Sequence, residues 1–278
     1  MGWPTADPSS FRSFGWQRRG SSFPPGPHIA TNAPAETARF RDARFMTRLR
    51  TFVAARLDTK KHLGMHLTLA LLIGCLAILA FSAILDAVLD NATVVRLDIA
   101  AAAWIHARVT PGGLQFFNIV TTAGDPTSML ILAFVVGIVL WVQGRRTALL
   151  AWTAAFLGGG VVERVVKVSV HRHRPVFVSP GQVIDPFSFP SGHSMWSFIA
   201  VGMLLYVLAL YWHPRRPWRW VTMTAGAAVV GLVGFSRVYL GVHYPSDVLG
   251  AWMAAAAWMG VCATALAIAL HRGRVSPP

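Results

Sequence analysis

Cysteine is nearly absent from this sequence: Cys75 and Cys262 are the two in 278 residues, each inside a long apolar run. That excludes a disulfide framework and a cysteine-based metal site, and leaves both as small core residues. Charge is scarce as well. Only 13% of the residues are Asp, Glu, Lys or Arg against 54% hydrophobic, an imbalance that soluble globular domains do not carry. Acidic residues are the scarcest part, eleven against 25 basic ones, so the net charge is +14. Such a charge can mark a nucleic-acid binder, but here it is dispersed. Residues 1–61 hold eleven Lys and Arg against four Asp and Glu, and much of the remaining excess flanks apolar runs, where it orients a membrane protein. Nucleic acid is therefore not an expected partner.

The beginning of the chain lacks the apolar core of a cleavable signal: Arg18-Arg19 is followed by Gly20-Ser21-Ser22 and by Pro24, Pro25 and Pro27. Residues 1–45 show no apolar periodicity and read as a disordered, basic cytoplasmic tail, with Met46 as an alternative initiator. Residues 46–278 then form the membrane domain.

Uninterrupted apolar sequence is what the chain has in abundance. About 20 apolar residues are needed to cross the hydrocarbon core as a helix. Leu67 to Leu85, Pro126 to Gly144, Ser194 to Trp212 and Val248 to Leu270 contain no Asp, Glu, Lys, Arg or His. Thr147 to Val162 and Trp220 to Ser236 are shorter and run into polar clusters. The expected fold is all-α, a polytopic bundle of six transmembrane helices. Arg145-Arg146, then Arg215, Arg216 and Arg219, then Arg272 and Arg274 fall on alternate connections, as the positive-inside rule requires. Both termini are thus expected in the cytoplasm, with 86–125, 163–193 and 237–247 on the opposite face. Between the first and second spans, Thr93 to Thr122 interleaves Trp104, Phe116 and Phe117 with Arg96, Asp98, His106 and Arg108, the pattern of an amphipathic interfacial helix.

Three polar clusters fall on that opposite face. In the first, Lys167 precedes Arg174-Pro175 by seven residues, about two helical turns, so the two cations share a face if the helix persists. Snorkelling interfacial cations and a pair of anion ligands both fit them. In the second, Pro190-Ser191-Gly192-His193 stands directly before the fourth span. Ser191 is placed like an N-cap and Gly192 permits close backbone approach, so the helix start is either ordinary capping or a phosphate seat. In the third, Ser236-Arg237 is followed by His243 and Asp247, with Pro245 suited to the first turn of the sixth helix. A carboxylate beside an imidazole fixes its tautomer and leaves the other nitrogen free to attack or to carry a proton; it also closes loops. Together the clusters supply three cations, two imidazoles, a carboxylate and a helix N-terminus, an inventory suited to phosphoryl transfer.

These residues resemble the signature of the type 2 phosphatidic acid phosphatase superfamily, the lipid phosphate phosphatases related to vanadium haloperoxidases, in its bacterial membrane branch. The three parts read KVSVHRHRP at 167–175, PSGH at 190–193 and SRVYLGVHYPSD at 236–247, with no departure at a signature position. The resemblance implies a metal-independent phosphatase that needs no cofactor. His243 would be the nucleophile forming a phosphohistidine, Asp247 would orient it, and His193 would be the general acid. Lys167, Arg174, Arg237, Ser191 and Gly192 would bind phosphate. His171, Arg172 and His173 occupy positions the signature leaves free; Asp185 stays open, and Glu163 reads as a structural partner of Lys167 four residues on.

The implied partners are the bilayer and a phosphorylated lipid, with undecaprenyl diphosphate first, phosphatidylglycerophosphate or phosphatidate next and lipid A third. The implied location is a bacterial inner membrane, with the site facing the periplasm or exterior. A catalytically silent membrane-interaction protein would not need His193, His243 and Asp247 together. A soluble haloperoxidase would not need six apolar spans, and a transporter would move substrate without releasing phosphate.

Overall fold

The computed structural model describes residues 62–90, 92–175, 177, 185–211 and 216–275. The reading of 1–45 as a tail and of Met46 as an initiator lies outside the described residues.

The described residues form eight helices: α1 (His62–Asp90), α2 (Ala92–His106), α3 (Pro111–Thr122), α4 (Pro126–Val142), α5 (Arg146–Val170), α6 (Gly192–Tyr211), α7 (Arg216–Tyr239) and α8 (Pro245–Val275). Six segments among them are long and apolar enough to cross a membrane: Thr68–Asp90, Pro111–Val142, Arg146–Val170, Gly192–Tyr211, Pro217–Tyr239 and Pro245–Leu270. The chain is a polytopic all-α membrane protein. Large apolar side chains such as Leu79, Phe134, Trp141 and Leu150 face outward on these spans, where lipid rather than water meets them.

The stretch between the first two expected spans is two helices where the sequence suggested one. Pro111 has no N–H to donate and disfavours helical backbone at Thr110, which is extended (φ −118°, ψ 155°) and caps α3 by accepting the Gly113 N–H on its hydroxyl at 3.1 Å. Only α2 stands apart. α3 runs into α4 as one apolar segment, interrupted at Ala123–Asp125, where Asp125 caps α4 by accepting the Thr127 N–H at 2.9 Å ahead of Pro126.

Helix α8 is central, packing on α1, α5 and α6. Its crossing with α1 is close because two glycines meet. A Cβ on Gly260 would lie 3.0 Å from the Gly74 Cα and 3.2 Å from the Ala70 carbonyl oxygen, backbone that cannot yield. Gly260→Leu is expected to force α1 away and to destabilise the bundle by about 1–3 kcal/mol, seen as a lower melting temperature in detergent. An unchanged melting temperature would show that this crossing contributes little.

The C-terminal ends of α5 and α7 and the N-terminal ends of α6 and α8 share one end of the bundle. Topology alone therefore gathers the three polar clusters.

Candidate functional site

Each catalytic candidate is placed by the way its helix starts or stops. α7 ends at Tyr239, and Gly241 turns the chain back with φ +71°, so that the N–H groups of Val242 and His243 both reach the Arg237 carbonyl (3.1 and 3.2 Å). Glycine is needed there because the conformation is left-handed and a Cβ would press on Phe177 at 3.0 Å. Two residues after His243, Pro245 opens α8 with Tyr244 at the N-cap. Asp247, at N3, reaches back so that its Oδ2 accepts the Tyr244 N–H at 2.9 Å, the carboxylate half of a capping box. That same oxygen lies 3.4 Å from His243 Nδ1. The four-residue spacing of His and Asp is thus what a reversed N-terminal turn needs to put the carboxylate beneath the ring.

His243 and Asp247 are both buried, at 2% and 0% exposure. His243 Nε2 points the other way and sits 3.1 Å from the Arg174 guanidinium. Burial pushes the His243 ring down to about 4; Asp247 opposes this, while the charges of Arg174 and Arg237 reinforce it. The imidazole is therefore neutral near pH 7, with Nδ1–H directed to Asp247 and the Nε2 lone pair facing Arg174.

Arg174 does not share a helical face with Lys167, contrary to the spacing argument. α5 stops at Val170, because His171 takes the left-handed conformation (φ 52°) at the C-cap. The chain then runs back alongside residues 185–188. His173 bridges Phe187, and the Ser188 N–H donates to the Arg172 carbonyl at 2.7 Å. Arg174 reaches the site from this reversed segment, donating to the Val242 carbonyl (2.9 Å) and, through Nε, to the Asp185 carbonyl (2.8 Å). Lys167 remains on α5, buried, paired with Glu163 at 2.5 Å and 3.7 Å from Asp185. Asp185 also meets Arg164 at 3.3 Å, so it ties this returning segment to α5.

Ser191 precedes α6, its N–H donating to the Asp247 carbonyl (3.1 Å) and its Oγ accepting from Ser194 (2.9 Å). The first bond joins the start of α6 to that of α8. Gly192 lies against the Glu163–Lys167 pair, where a Cβ would come within 3.3 Å of the carboxylate. His193 Nε2 is 3.7 Å from Asp125, and the charges of Arg237 and Arg174 reach its ring. Arg237 donates to Thr121 at 2.7 Å, while its buried Nε has no hydrogen-bond partner among the described residues. A buried guanidinium donor left unused costs free energy, and an entering anion would satisfy it.

Thr121 and Asp125 are neighbours that sequence reasoning missed. The signal that could have found Asp125 is its place directly before Pro126 at the start of an apolar run. Arg172 and Asp98 were missed as well. Of the three signature-free residues 171–173, only Arg172 turns inward. It donates at 2.7 Å each to Asp247, Ser246 and Asp98. Burial opposes its charge, but Asp247 and Asp98 more than offset this and hold its proton more tightly than in free arginine. His171 and His173 stay exposed against Phe187. Among the described residues, no group of three or more His, Cys, Asp or Glu is arranged to hold a metal ion.

An apolar cavity of about 960 Å³, bounded by Ile73, Leu205, Trp218 and Met259, lies in the other half of the bundle and includes none of these polar residues. The polar cluster is a separate, hydrogen-bonded site.

Residues 147–269 match the model of the PAP2 superfamily. Over 131 residues, 47% of this chain, the sequence is 30% identical to phosphatidylglycerophosphatase B of Bacillus subtilis (strain 168). Over 98 residues, 34% of this chain, it is 34% identical to an undecaprenyl-diphosphatase of Sulfolobus acidocaldarius. The chain spans 64% and 43% of the length of these two relatives, less than two thirds of either. The crystal structure of a transmembrane PAP2 type phosphatidylglycerolphosphate phosphatase from Bacillus subtilis superposes with a TM-score of 0.64 at 23% identity. That superposition covers 73% of this chain and 97% of the other, and it establishes the shared fold.

Proposed function

We propose, from the match of residues 147–269 to the PAP2 superfamily model, that the chain is a membrane phosphatase acting on a lipid phosphate or diphosphate through His243. The observation that carries this reading is the ring of His243, buried and neutral, with Asp247 at Nδ1 and Arg174 at Nε2. A phosphoryl group drawn to Arg174 would meet the Nε2 lone pair in line for attack.

The reaction runs as two displacements at phosphorus. Lys167, Arg174 and Arg237 neutralise the non-bridging oxygens, with the Ser191 hydroxyl and the Gly192 N–H completing the cradle at the α6 N-terminus. The Nε2 pair forms the P–N bond while the bond from phosphorus to the leaving oxygen breaks, and that oxygen takes a proton from His193. Asp247 supports the positive charge that spreads into the His243 ring. Water then gives a proton to His193 and attacks phosphorus; the P–N pair returns to Nε2, and His193 is ready for another cycle. No cofactor is required.

The favoured substrate is undecaprenyl diphosphate, with phosphatidylglycerophosphate or phosphatidate second and lipid A third. Supporting these substrates are the names of the two relatives, a phosphatidylglycerophosphatase and an undecaprenyl-diphosphatase. The alternation of arginine-rich connections supports a bacterial inner membrane location with the site on the periplasmic or outer face.

The test is phosphate release by the detergent-purified chain from undecaprenyl diphosphate, phosphatidylglycerophosphate, phosphatidate and lipid A. The expected result is release inhibited by vanadate, a phosphate mimic, with the highest kcat/KM on undecaprenyl diphosphate. Folded protein that releases phosphate from none of them, or a metal-dependent activity indifferent to vanadate, would contradict the proposal.

The acid limb of the pH profile gives an independent check. The nucleophile is the neutral ring, so activity is lost as pH falls through the folded value. At about pH 5 a ring titrating at about 4 is about nine-tenths neutral, whereas one at about 6.5 is almost wholly protonated. Once ionisation of the substrate phosphate is divided out, kcat/KM is expected to hold down to about pH 5 and to break near 4. A break near 6.5 would contradict the assignment.

A further inference from the structure

The Asp247 carboxylate is gripped at both oxygens, and the second grip comes from residues outside the signature. Oδ2 takes the Tyr244 N–H and faces His243, while Oδ1 accepts from Arg172 at 2.7 Å. Arg172 is held in turn by Asp98 of α2, whose carboxylate also accepts the Ser246 N–H at 3.1 Å and the Ser246 hydroxyl. The guanidinium plane stacks 4.3 Å from the Tyr244 ring. Asp98 is only 5% exposed, although its neighbours Leu97 and Ile99 are open to the surroundings. A buried acid on a short helix is costly to keep without a purpose.

We propose that Asp98 and Arg172 are positioning residues for the reaction, holding the Asp247 carboxylate against His243 and coupling helix α2 to the catalytic centre. This rests on the phosphatase reading above. Two physical effects act together. The planar fork of Arg172 spans two carboxylates and so fixes the rotation of Asp247, which a point charge cannot do. Asp98 shares the guanidinium charge; without it, Arg172 would pair with Asp247 alone and cancel the negative charge that supports the ring of His243 as phosphorus bonds to Nε2. Neither residue touches substrate, and the effect runs through Asp247.

The test uses the full purified chain. Asp98→Asn keeps the shape and removes the charge, and is expected to lower kcat about ten-fold, as for carboxylates that orient a catalytic imidazole from behind, with KM within about two-fold. Arg172→Lys is expected to behave alike. In an Asp247→Asn background, Asp98→Asn is expected to add less than about two-fold, because residues acting as one unit are not additive. A merely structural role would give losses that multiply. Should Asp98→Asn fail to fold, Ser246→Ala removes one link of the network and is expected to lower kcat roughly five-fold, again erased by Asp247→Asn. Wild-type kcat in Asp98→Asn, or in Ser246→Ala where that variant stands in, would overturn the inference, as would losses that multiply with Asp247→Asn. Wild-type protein that releases no phosphate would remove the phosphatase reading itself. Release lost in His243→Ala, with Asp98→Asn at wild-type kcat, would remove this inference alone.

Discussion

Replacing His243 by Ala is expected to lower kcat/KM for phosphate release by at least about 10⁴-fold, because removing a nucleophile removes the covalent route itself. The remaining groups would still bind phosphate: Lys167 and Arg237 do not depend on His243 for their contacts, and Arg174 keeps its bonds to the Val242 and Asp185 carbonyls. Substrate affinity should therefore change far less than turnover. A binding measurement with a non-hydrolysable phosphonate lipid separates the two effects. Loss of both together, in protein with an unchanged melting temperature, would mean that His243 serves binding instead. Conservation of turnover would remove it from the chemistry.

His193→Ala carries the second large effect, and it should depend on the leaving group. A lipid alkoxide leaves poorly without a proton, so on a lipid monophosphate the variant is expected to lose about 10²- to 10⁴-fold in kcat/KM. An aryl phosphate such as p-nitrophenyl phosphate expels a stable phenolate and needs no acid. Its kcat/KM, which reports events up to formation of the phosphohistidine, should fall by less than about ten-fold. Its kcat should still fall steeply, since the same imidazole must take a proton from water in the second half. The expected signature is a burst of phenolate followed by slow turnover. Equal losses in kcat/KM on both substrates would assign His193 to phosphate binding, in keeping with its closeness to Arg237 and Arg174 and not with acid catalysis.

Much of this arrangement was legible in the sequence because hydrophobic length and charge position are direct readouts of membrane physics. Three charge-free runs are spans outright, and the fourth, Pro126 to Gly144, is the later part of the Pro111–Val142 segment. The two shorter ones, α5 and α7, extend beyond their apolar cores as Arg146–Val170 and Pro217–Tyr239 because their polar ends lie inside the protein at the site. The gathering of Lys167, Ser191, Arg237, His243 and Asp247 at one end followed from counting spans. The path of Arg174 did not, because a left-handed His171 is a tertiary choice that nothing in the local sequence announces. Asp98 and Asp247 are joined through Arg172 and Ser246, across about half the chain, and each element looks complete without the other. Asp125 was concealed by its local role: a residue that caps a helix with one oxygen still has the other to turn toward His193.

The break at Ala123–Asp125 shows the same limit in backbone form. Pro111–Val142 is one long apolar segment in the structure, yet the interruption puts Thr121 and Asp125 beside Arg237 and His193. Departures from regular helix thus sit where the chemistry is, as expected when polar backbone at membrane depth must be buried in protein.

The central claim is that phosphorus bonds to His243, and the most direct measurement uses His193→Ala, in which the intermediate should persist. The variant is mixed with a ³²P-labelled aryl phosphate, quenched in alkali, where a phosphohistidine survives, and digested for peptide mapping. The expected result is a near-stoichiometric label on the peptide containing His243, lost on mild acid treatment and absent from the His193→Ala/His243→Ala double variant. Turnover of the aryl phosphate without a labelled peptide, or with the label on any other residue, would contradict the mechanism.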